Sequence, residues 1–288
     1  MKTNFEKENL FNMNILVTLD SNYLKPLKIM LKSLFFNNQN ERFTIFLLHS
    51  SINDEEIANL KNYIKNNRSQ LKVLNIDNSY FSNAPSHLYY TKEMYYRLLA
   101  FKLLPNNIDR ILYLDPDILV INPIADLYNV DLEGYLYAAA SHDFIGFKEI
   151  NRVRFYSYEI DAYYNSGVLL MNLELQRQCI DENSIFKFVE LNHKYLVLPD
   201  QDVFNALYSK QIKRLDEKLY NYDVIYFNYY KMVSKNEWDM EHVIRNTVIL
   251  HFCGKKKPWN KGYNGKFHAL YKHYEKLTFN MNSTAEIS

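Results

Sequence analysis

The sequence predicts an α/β protein with a mostly parallel central sheet and helices on both faces. Three observations carry this. Short apolar, β-branched runs alternate with stretches whose apolar residues recur at helical spacing. The apolar runs stop at polar clusters, which read as loops after buried strands. The chain has 288 residues, 48% of them hydrophobic and only six of them glycine. That supports a large core and excludes collagen-like or Gly-rich linker architecture.

In chain order, residues 14–19 (N-I-L-V-T-L) form the first predicted strand and end at Asp20-Ser21-Asn22. Residues 23–36 follow as a helix, with Leu27, Met30, Leu31 and Leu34 inward. A second strand covers 43–49. Residues 53–66 predict a helix: Asn53 can cap it, Glu56 stands where a capping-box acid belongs, and Ile57, Leu60 and Ile64 share a face. A third strand covers 71–76. Residues 92–104 read as a helix stopped by Pro105. A fourth strand, 110–114 (R-I-L-Y-L), runs directly into Asp115-Pro116-Asp117. Beyond it, 136–140 and 168–171 read as short strands, 181–192 and 201–208 as helices, and 248–251 as a strand ending at His251. No internal repeat or linker is visible, so residues 13–276 are expected to form one domain, with polar extensions at 1–12 and 277–288.

Composition bounds the partners. Net charge is +1 and the pI is near 7.7, so no global field points to nucleic acid. The two cysteines, Cys179 and Cys253, have no metal-ligand spacing and fit a reducing compartment. Residues 1–12 lack the apolar core of a signal peptide, and no apolar run approaches the roughly 20 residues of a membrane span. The expectation is a cytoplasmic protein. The 25 tyrosines and 18 phenylalanines read first as packing residues and second as a stacking surface.

Ligands of parallel α/β sheets bind outside the carboxyl ends of the strands. Asp20 and Asp115 both sit at such ends, so one rim of the sheet gathers acidic residues remote in sequence. Asp115 and Asp117, one residue apart, can reach one divalent cation together; Mg²⁺ and Mn²⁺ take oxygen ligands and leave room for phosphates. The triplet is weak by itself, because Asp200-Gln201-Asp202 repeats it. A β-turn whose carboxylates bond the backbone fits Asp115-Pro116-Asp117 equally well. His251 can be a ligand or a hydrogen-bonded rim residue. Gly254 and the lysines 255–257 can cradle a diphosphate or form a solvated loop. Arg97 can bind phosphate, support the acidic pair or make a surface salt bridge. The basic stretch to Lys276, interleaved with Tyr263, Phe267, Tyr271 and Tyr274, can be an amphipathic helix or touch anionic lipid.

Six segments occur together, in order: V-T-L-D-S-N-Y (17–23), Y-Y-R-L (95–98), I-L-Y-L-D-P-D-I-L-V (111–120), Y-Y-N-S-G-V-L-L-M-N (163–172), L-P-D-Q-D-V-F-N (198–205) and L-H-F-C-G-K-K-K-P-W (250–259). Over residues 14–259 the chain resembles glycosyltransferase family 8, the retaining bacterial galactosyl- and glucosyltransferases of lipopolysaccharide type, with glycogenin a more distant relative. The resemblance implies a GT-A type nucleotide-binding α/β sandwich and transfer of a hexose from a UDP-sugar to a glycan or lipid-linked glycan acceptor. It implies Mn²⁺, or Mg²⁺ in its place, held by Asp115, Asp117 and His251. It assigns Thr18, Asp20, Asn22 and Tyr23 to the uridine, with Tyr23 stacking on uracil, and Arg97 and Asp115 to the donor. Gly254 and Lys257 would hold the diphosphate. Asn165, Asp200 and Gln201 would surround the sugar, and Asp143 would lie near sugar or acceptor. Gln201, Asp200 and Asp143 are the candidates for catalytic roles. Gln201, at the position a double displacement would need, is a poor nucleophile, so front-face attack is the expected route.

Segments 145–161 and 222–246 match no family motif. Two other classes of function compete. A sugar-nucleotide-forming nucleotidyltransferase would carry a Gly-rich loop after the first strand, and residues 19–23 contain no glycine. A non-catalytic UDP-sugar-binding protein on the same scaffold would bind UDP without turnover. Membrane contact, if any, is expected to be weak, peripheral and at the inner face, through the basic C-terminal segment.

Overall fold

The computed structural model describes residues 12–76, 93–141, 158, 160 and 162–279. Its main sheet has seven strands: β1 (Asn12–Thr18), β2 (Arg42–His49), β3 (Gln70–Asn75), β4 (Arg110–Leu114), β6 (Tyr137–Ser141), β7 (Tyr164–Asn172) and β8 (Ile212–Leu215). They lie in the order β3-β2-β1-β4-β7-β6-β8. β3, β2, β1 and β4 are mutually parallel, β6 and β8 pair in parallel, and β7 runs antiparallel to both its neighbours. A second sheet holds β5 (Ile118–Val120), β10 (Ile249–His251) and β9 (Tyr222–Asp223), in the order β5-β10-β9.

The central strands are apolar on both faces, as strands covered twice must be. Along β1, Leu16 joins one core, with Tyr96, Phe101 and Phe204. Ile15 and Val17 join the other, with Leu27, Leu31 and Leu34 of helix α1 (Leu24–Asn37). Helix α2 (Asp54–Lys65) begins with the expected capping box: Glu56 N–H donates to Asn53 Oδ1 at 2.9 Å, and the Glu56 side chain returns to the Asn53 N–H. The predicted helix 92–104 divides into Glu93–Leu98 and Ala100–Leu103 at Leu99. The predicted strand 168–171 extends backwards to Tyr164, and the predicted helix 201–208 starts two residues early, at Pro199. Proline suits a first helical turn because its missing N–H would have no partner there.

A third core joins the second sheet to α1 and to the C-terminal helix His268–Phe279: Ile29, Leu119, Tyr222, Leu250, Phe267, Tyr271 and Tyr274 are buried together. Asn37 of α1 ties the pieces, donating to Val120 O at 2.9 Å and Tyr274 Oη at 2.8 Å. Phe267, Tyr271 and Tyr274 are therefore interior residues and face no lipid. Within the unmatched stretch 222–246, β9 and helices Phe227–Val233 and Met240–Asn246 complete this region.

Deleting a buried side chain removes apolar contact and leaves a cavity. Leu170→Ala, at a fully buried position of β7, is expected to lower unfolding free energy by about 2–5 kcal/mol in denaturant titration. Leu191→Ala, at a side chain 66% exposed, should stay within about 0.5 kcal/mol. Equal losses would contradict the layer assignment.

Candidate active site

Strand polarity assembles the site. β1 and β4 are neighbouring parallel strands, so Asp20 and Asp115 leave the same edge of the sheet. β7 is antiparallel to β4, with Leu114 opposite Val168, so its beginning, Asn165-Ser166-Gly167, reaches the edge where β4 ends. Asp115 N–H donates to Gly167 O at 2.8 Å. β10 runs antiparallel to β5, with His251 opposite Ile118, and Phe252 N–H donates to Asp117 O at 3.0 Å. The second sheet thus places a histidine from residue 251 beside an acidic turn at 115–117.

The side chains of that turn do not bond its own backbone, which disposes of the plain β-turn reading. Asp115 Oδ1 accepts from Arg97 Nη2 at 3.0 Å and from Tyr113 Oη at 2.5 Å. Asp117 pairs with Lys257 through Oδ2 and faces His251 Nε2 through Oδ1 at 3.3 Å. His251 Nε2 is 4.0 Å from Asp115 Oδ2. The Asp115, Asp117 and His251 ligand atoms all lie within 4.8 Å of one another.

His251 is held from behind. Its Nδ1 lies 2.7 Å from Asn221 Oδ1, while Asn221 Nδ2 donates to Asn165 Oδ1 at 2.9 Å. With the Asn221 amide so oriented, its oxygen accepts from Nδ1 and turns Nε2 toward the two carboxylates. A metal-binding histidine is commonly fixed in this way by a polar partner on its other nitrogen. Two carboxylates and an oriented imidazole nitrogen are a donor set that Mn²⁺ or Mg²⁺ accepts, so these residues fit a divalent cation.

The charges are strongly coupled. Burial alone would raise Asp117, yet His251 and Lys257 hold it well below the usual carboxylate range. Burial, reinforced by Asp117, raises Asp115 against the pull of Arg97 and His251. Burial opposes charge on Arg97, His251 and Lys257 as well. Even so, Asp115 keeps Arg97 cationic, Cys253 and Asp117 raise His251, and Asp117 raises Lys257. Like carboxylates this close keep their charge only where cations sit among them.

Two connected clefts meet at this cluster. One, about 330 Å³, is lined by Thr18, Leu19, Asp20, Tyr23, Arg97, Asp115, Pro116 and Asp117. Asn22 lies beside it on the exposed turn, its N–H bonded to Asp20 Oδ1 at 2.8 Å. The Tyr23 ring stands edge-on to Trp259 at 6.0 Å between centroids. The second cleft, about 380 Å³, shares Arg97, Asp115 and Asp117 and adds Asn165, Asp200, Gln201, His251, Gly254 and Lys257. Every sequence-predicted site residue that the structure describes lies in or beside these clefts. Asp143 lies outside the described residues.

Arg97 is the hub. It bonds Asp115 on one side, and on the other Asp200 Oδ2 at 2.9 Å and Ser166 O at 3.1 Å. Its guanidinium lies over the Tyr113 ring, 4.4 Å from the centroid. The default of a surface salt bridge does not hold. Gln201 Oε1 accepts from Ser166 N–H at 3.2 Å. Asp202 resolves the ambiguity of the second acidic triplet: it is fully buried and accepts from Tyr163 Oη at 2.6 Å and from Val197 and Leu198 N–H at 2.7 and 3.0 Å. It braces the loop before its helix and has no share in the cluster. Gly254 adopts φ +80°, a left-handed conformation that favours glycine.

Sequence reasoning missed five contributors. Asn221 and Asp223 lie in or beside the stretch without motif resemblance. Tyr113 and Ser166 sat inside motifs, Tyr113 read only as a strand residue and Ser166 given no role. Gly167 was quoted in a motif without a reason. A Cβ there would strike His251 Cε1 and come within 2.6 Å of Asp115 Oδ2.

The family model for "Glycosyl transferase family 8" matches residues 14–262. The chain belongs to glycosyl transferase family 8. Among curated relatives, lipopolysaccharide 1,2-glucosyltransferase of Escherichia coli K12 is 26% identical over 252 residues, covering 86% of this chain and 73% of that protein. General stress protein A of Bacillus subtilis is 27% identical over 276 residues, covering 92% and 94%. Among solved structures, galactosyltransferase LgtC in complex with donor and acceptor sugar analogs superposes with TM-score 0.77 at 20% identity, covering 92% of this chain and 96% of that one. Glycosyltransferase GlyE of Streptococcus pneumoniae gives 0.70 at 21%, covering 94% and 62%. These structures share the GT-A fold of this glycosyltransferase family member.

Two substitutions separate placement from chemistry. Gly167→Ala should displace His251 or Asp115 and weaken Mn²⁺ affinity by roughly tenfold or more, within the range for changes to the shell behind metal ligands. Asn221→Ala should do the same by freeing the imidazole, with Asn221→Gln restoring little because the longer side chain misplaces the amide. Calorimetric Mn²⁺ titrations matching the parent protein would remove both residues from the site.

Proposed function

We propose that the protein transfers a hexose, galactose or glucose, from a UDP-sugar to a hydroxyl of a glycan or lipid-linked glycan, with retention of configuration and an α linkage. One observation carries this reading. The cluster of Asp115, Asp117, His251, Arg97 and Lys257 sits where two clefts join, so a diphosphate lying across it would leave uridine on one side and sugar on the other. Residues 13–276 would act as one catalytic unit, since the family match is nearly as long and helix His268–Phe279 is built into the third core.

Thr18, Asp20, Asn22 and Tyr23 would hold the nucleoside, Tyr23 by stacking. Asn165, Asp200 and Gln201 would bind the sugar hydroxyls. Asp115, Asp117 and His251 would hold Mn²⁺, or Mg²⁺ in its place. Such an ion, when bound, supplies positive charge to the phosphate oxygens. Lys257 would place its ammonium, and the Gly254 backbone its close approach, beside the same diphosphate. Positive charge fixed in advance stabilises a leaving group as it becomes anionic.

The carbon–oxygen bond between the anomeric carbon and the diphosphate would break as the acceptor oxygen bonds the same carbon from the same face. The acceptor proton would pass to the departing diphosphate oxygen. Two observations favour this over a covalent intermediate. Gln201 is a neutral amide with its oxygen already accepting from Ser166. Asp200 is committed to Arg97 and to Ser166 Oγ at 3.0 Å. Asp143 is proposed, on family resemblance alone, to lie near the sugar or the acceptor.

The test follows UDP release from UDP-galactose, UDP-glucose and UDP-N-acetylglucosamine with and without Mn²⁺. Metal-dependent release from one donor is expected, and no release together with no UDP binding in the presence of Mn²⁺ would overturn the reading. Asp117→Asn should cut that rate by roughly 10²–10³, as loss of a preorganised electrostatic partner does. Tyr23→Ala should weaken UDP binding by about 1–3 kcal/mol with metal preference unchanged. A sugar adduct on Gln201 or Asp200, sought by mass spectrometry, would replace front-face attack with double displacement.

A further inference from the structure

Beyond the clefts, the surface beside the sugar-side mouth is apolar where a soluble protein is ordinarily polar. Helix Phe227–Val233 turns Phe227 and Tyr230 into the third core and leaves Tyr229, Met232 and Val233 outward, at helical spacing on one face. Ile225, exposed just before this helix, extends the stripe to the site. Its Cδ1 lies 3.6 Å from where a Cβ on Gly254 would stand, and Tyr226 and Gly254 both line the sugar-side cleft. Leu198 lines the same cleft and is exposed, next to Val197, which is 70% exposed. Apolar side chains thus stand on both lips of one opening.

One flank of this stripe is strongly basic, while Asp223 bonds the Ile225 N–H at its start and Glu237 is exposed just past the helix. Residues 253–266 carry five lysines and no acid. Lys257 is engaged with Asp117, while Lys255, Lys256, Lys261 and Lys266 are exposed. The two segments are neighbours: Ile225 Cδ1 stands close to the side of Gly254 where a Cβ would project, and Lys266 Nζ lies 5.6 Å from the Phe227 ring centroid. Lys231 lies on the helix itself. Apolar residues that insert at the interface, flanked by a lysine-rich loop, are a combination that binds an anionic bilayer surface. A second copy of this chain on the same patch would bring like-charged lysine clusters together, which disfavours self-association.

We infer that Ile225, Met232 and Val233, with Lys261 and Lys266, dock the protein on an anionic phospholipid surface and turn the sugar-side mouth toward lipid-anchored acceptors. The acceptor part of this inference rests on the proposed transfer reaction; the membrane contact does not. It also moves membrane contact away from the C-terminal helix, whose Tyr271 and Tyr274 are interior, to the loop and helix at the cleft.

The test is cosedimentation of the whole protein with vesicles of phosphatidylcholine alone and of phosphatidylcholine mixed with phosphatidylglycerol, without donor or metal. Binding is expected to the mixed vesicles only and to weaken with salt. Met232→Glu/Val233→Glu should lower partitioning roughly tenfold. Lys261→Glu/Lys266→Glu should lower it by at least as much, since each lysine near such a surface is worth roughly a fivefold change. Both variants should keep the parental circular dichroism and metal-dependent UDP release from soluble donor. No binding to either vesicle, or binding that neither variant reduces, would overturn the inference. So would a dimer in light scattering that Met232→Glu/Val233→Glu dissociates, which would assign the patch to self-association. Vesicle binding without UDP release from any donor would leave the docking surface standing and count against the transfer reaction instead.

Discussion

Two carboxylates one residue apart, Asp115 and Asp117, stand between two buried strands, and the surrounding structure compensates their charge. Carboxylates in such a place are stable only with cations and donors around them. Arg97 and Tyr113 serve Asp115; Lys257 and His251 serve Asp117. The partners come from a helix before β4, from β4 itself, and from the end and aftermath of β10. None is close to the others in sequence beyond residues 113–117 and 251–257. The acidic turn is therefore a joint at which both sheets and the helix carrying Arg97 must agree.

Topology makes that agreement affordable. Parallel β1 and β4 deliver their carboxyl ends to one rim, and antiparallel β7 delivers its opening residues there. The three-stranded sheet then brings His251 alongside Ile118, and Asn221, just before β9, stands behind the imidazole. A chain of polar contacts runs from Gly167 N–H to Asn165, Asn221 and His251, linking the sugar-side wall to the acidic turn. Such a chain means that groups around the sugar and groups around the diphosphate are not independently adjustable. Substitutions at Asn165 and His251 should accordingly be non-additive, as residues in one network are.

Much of this was legible in the sequence. Strands of the first half announced themselves because they are buried on both faces and read as unbroken apolar runs. Asp20 and Asp115 could be placed on one rim from strand polarity alone. What local pattern could not decide was whether the carboxylates of residues 115–117 face their own turn or remote cations, since both arrangements fit the same triplet. The twin triplet at 200–202 illustrates the point: Asp200 faces Arg97 at the site, while Asp202 is a buried brace. Asn221, Asp223 and the exposed stripe on helix Phe227–Val233 escaped because β9 has two residues and its surroundings have no strong period. The basic aromatic tail was ambiguous for the converse reason. Its aromatic spacing fits an amphipathic helix equally well against a bilayer or against α1, and only the third core decides for α1.

The central claim is that the acidic turn and His251 together form a divalent-cation site for a nucleoside diphosphate. Pulsed electron paramagnetic resonance of Mn²⁺ added to the protein tests it most directly, before any substrate is chosen. The account predicts a single tightly held Mn²⁺ with directly coordinated imidazole nitrogen, held more tightly when UDP is present. The nitrogen signal should vanish in His251→Gln. Mn²⁺ that stays free in solution with UDP present, or a nitrogen signal that survives in His251→Gln, would contradict it.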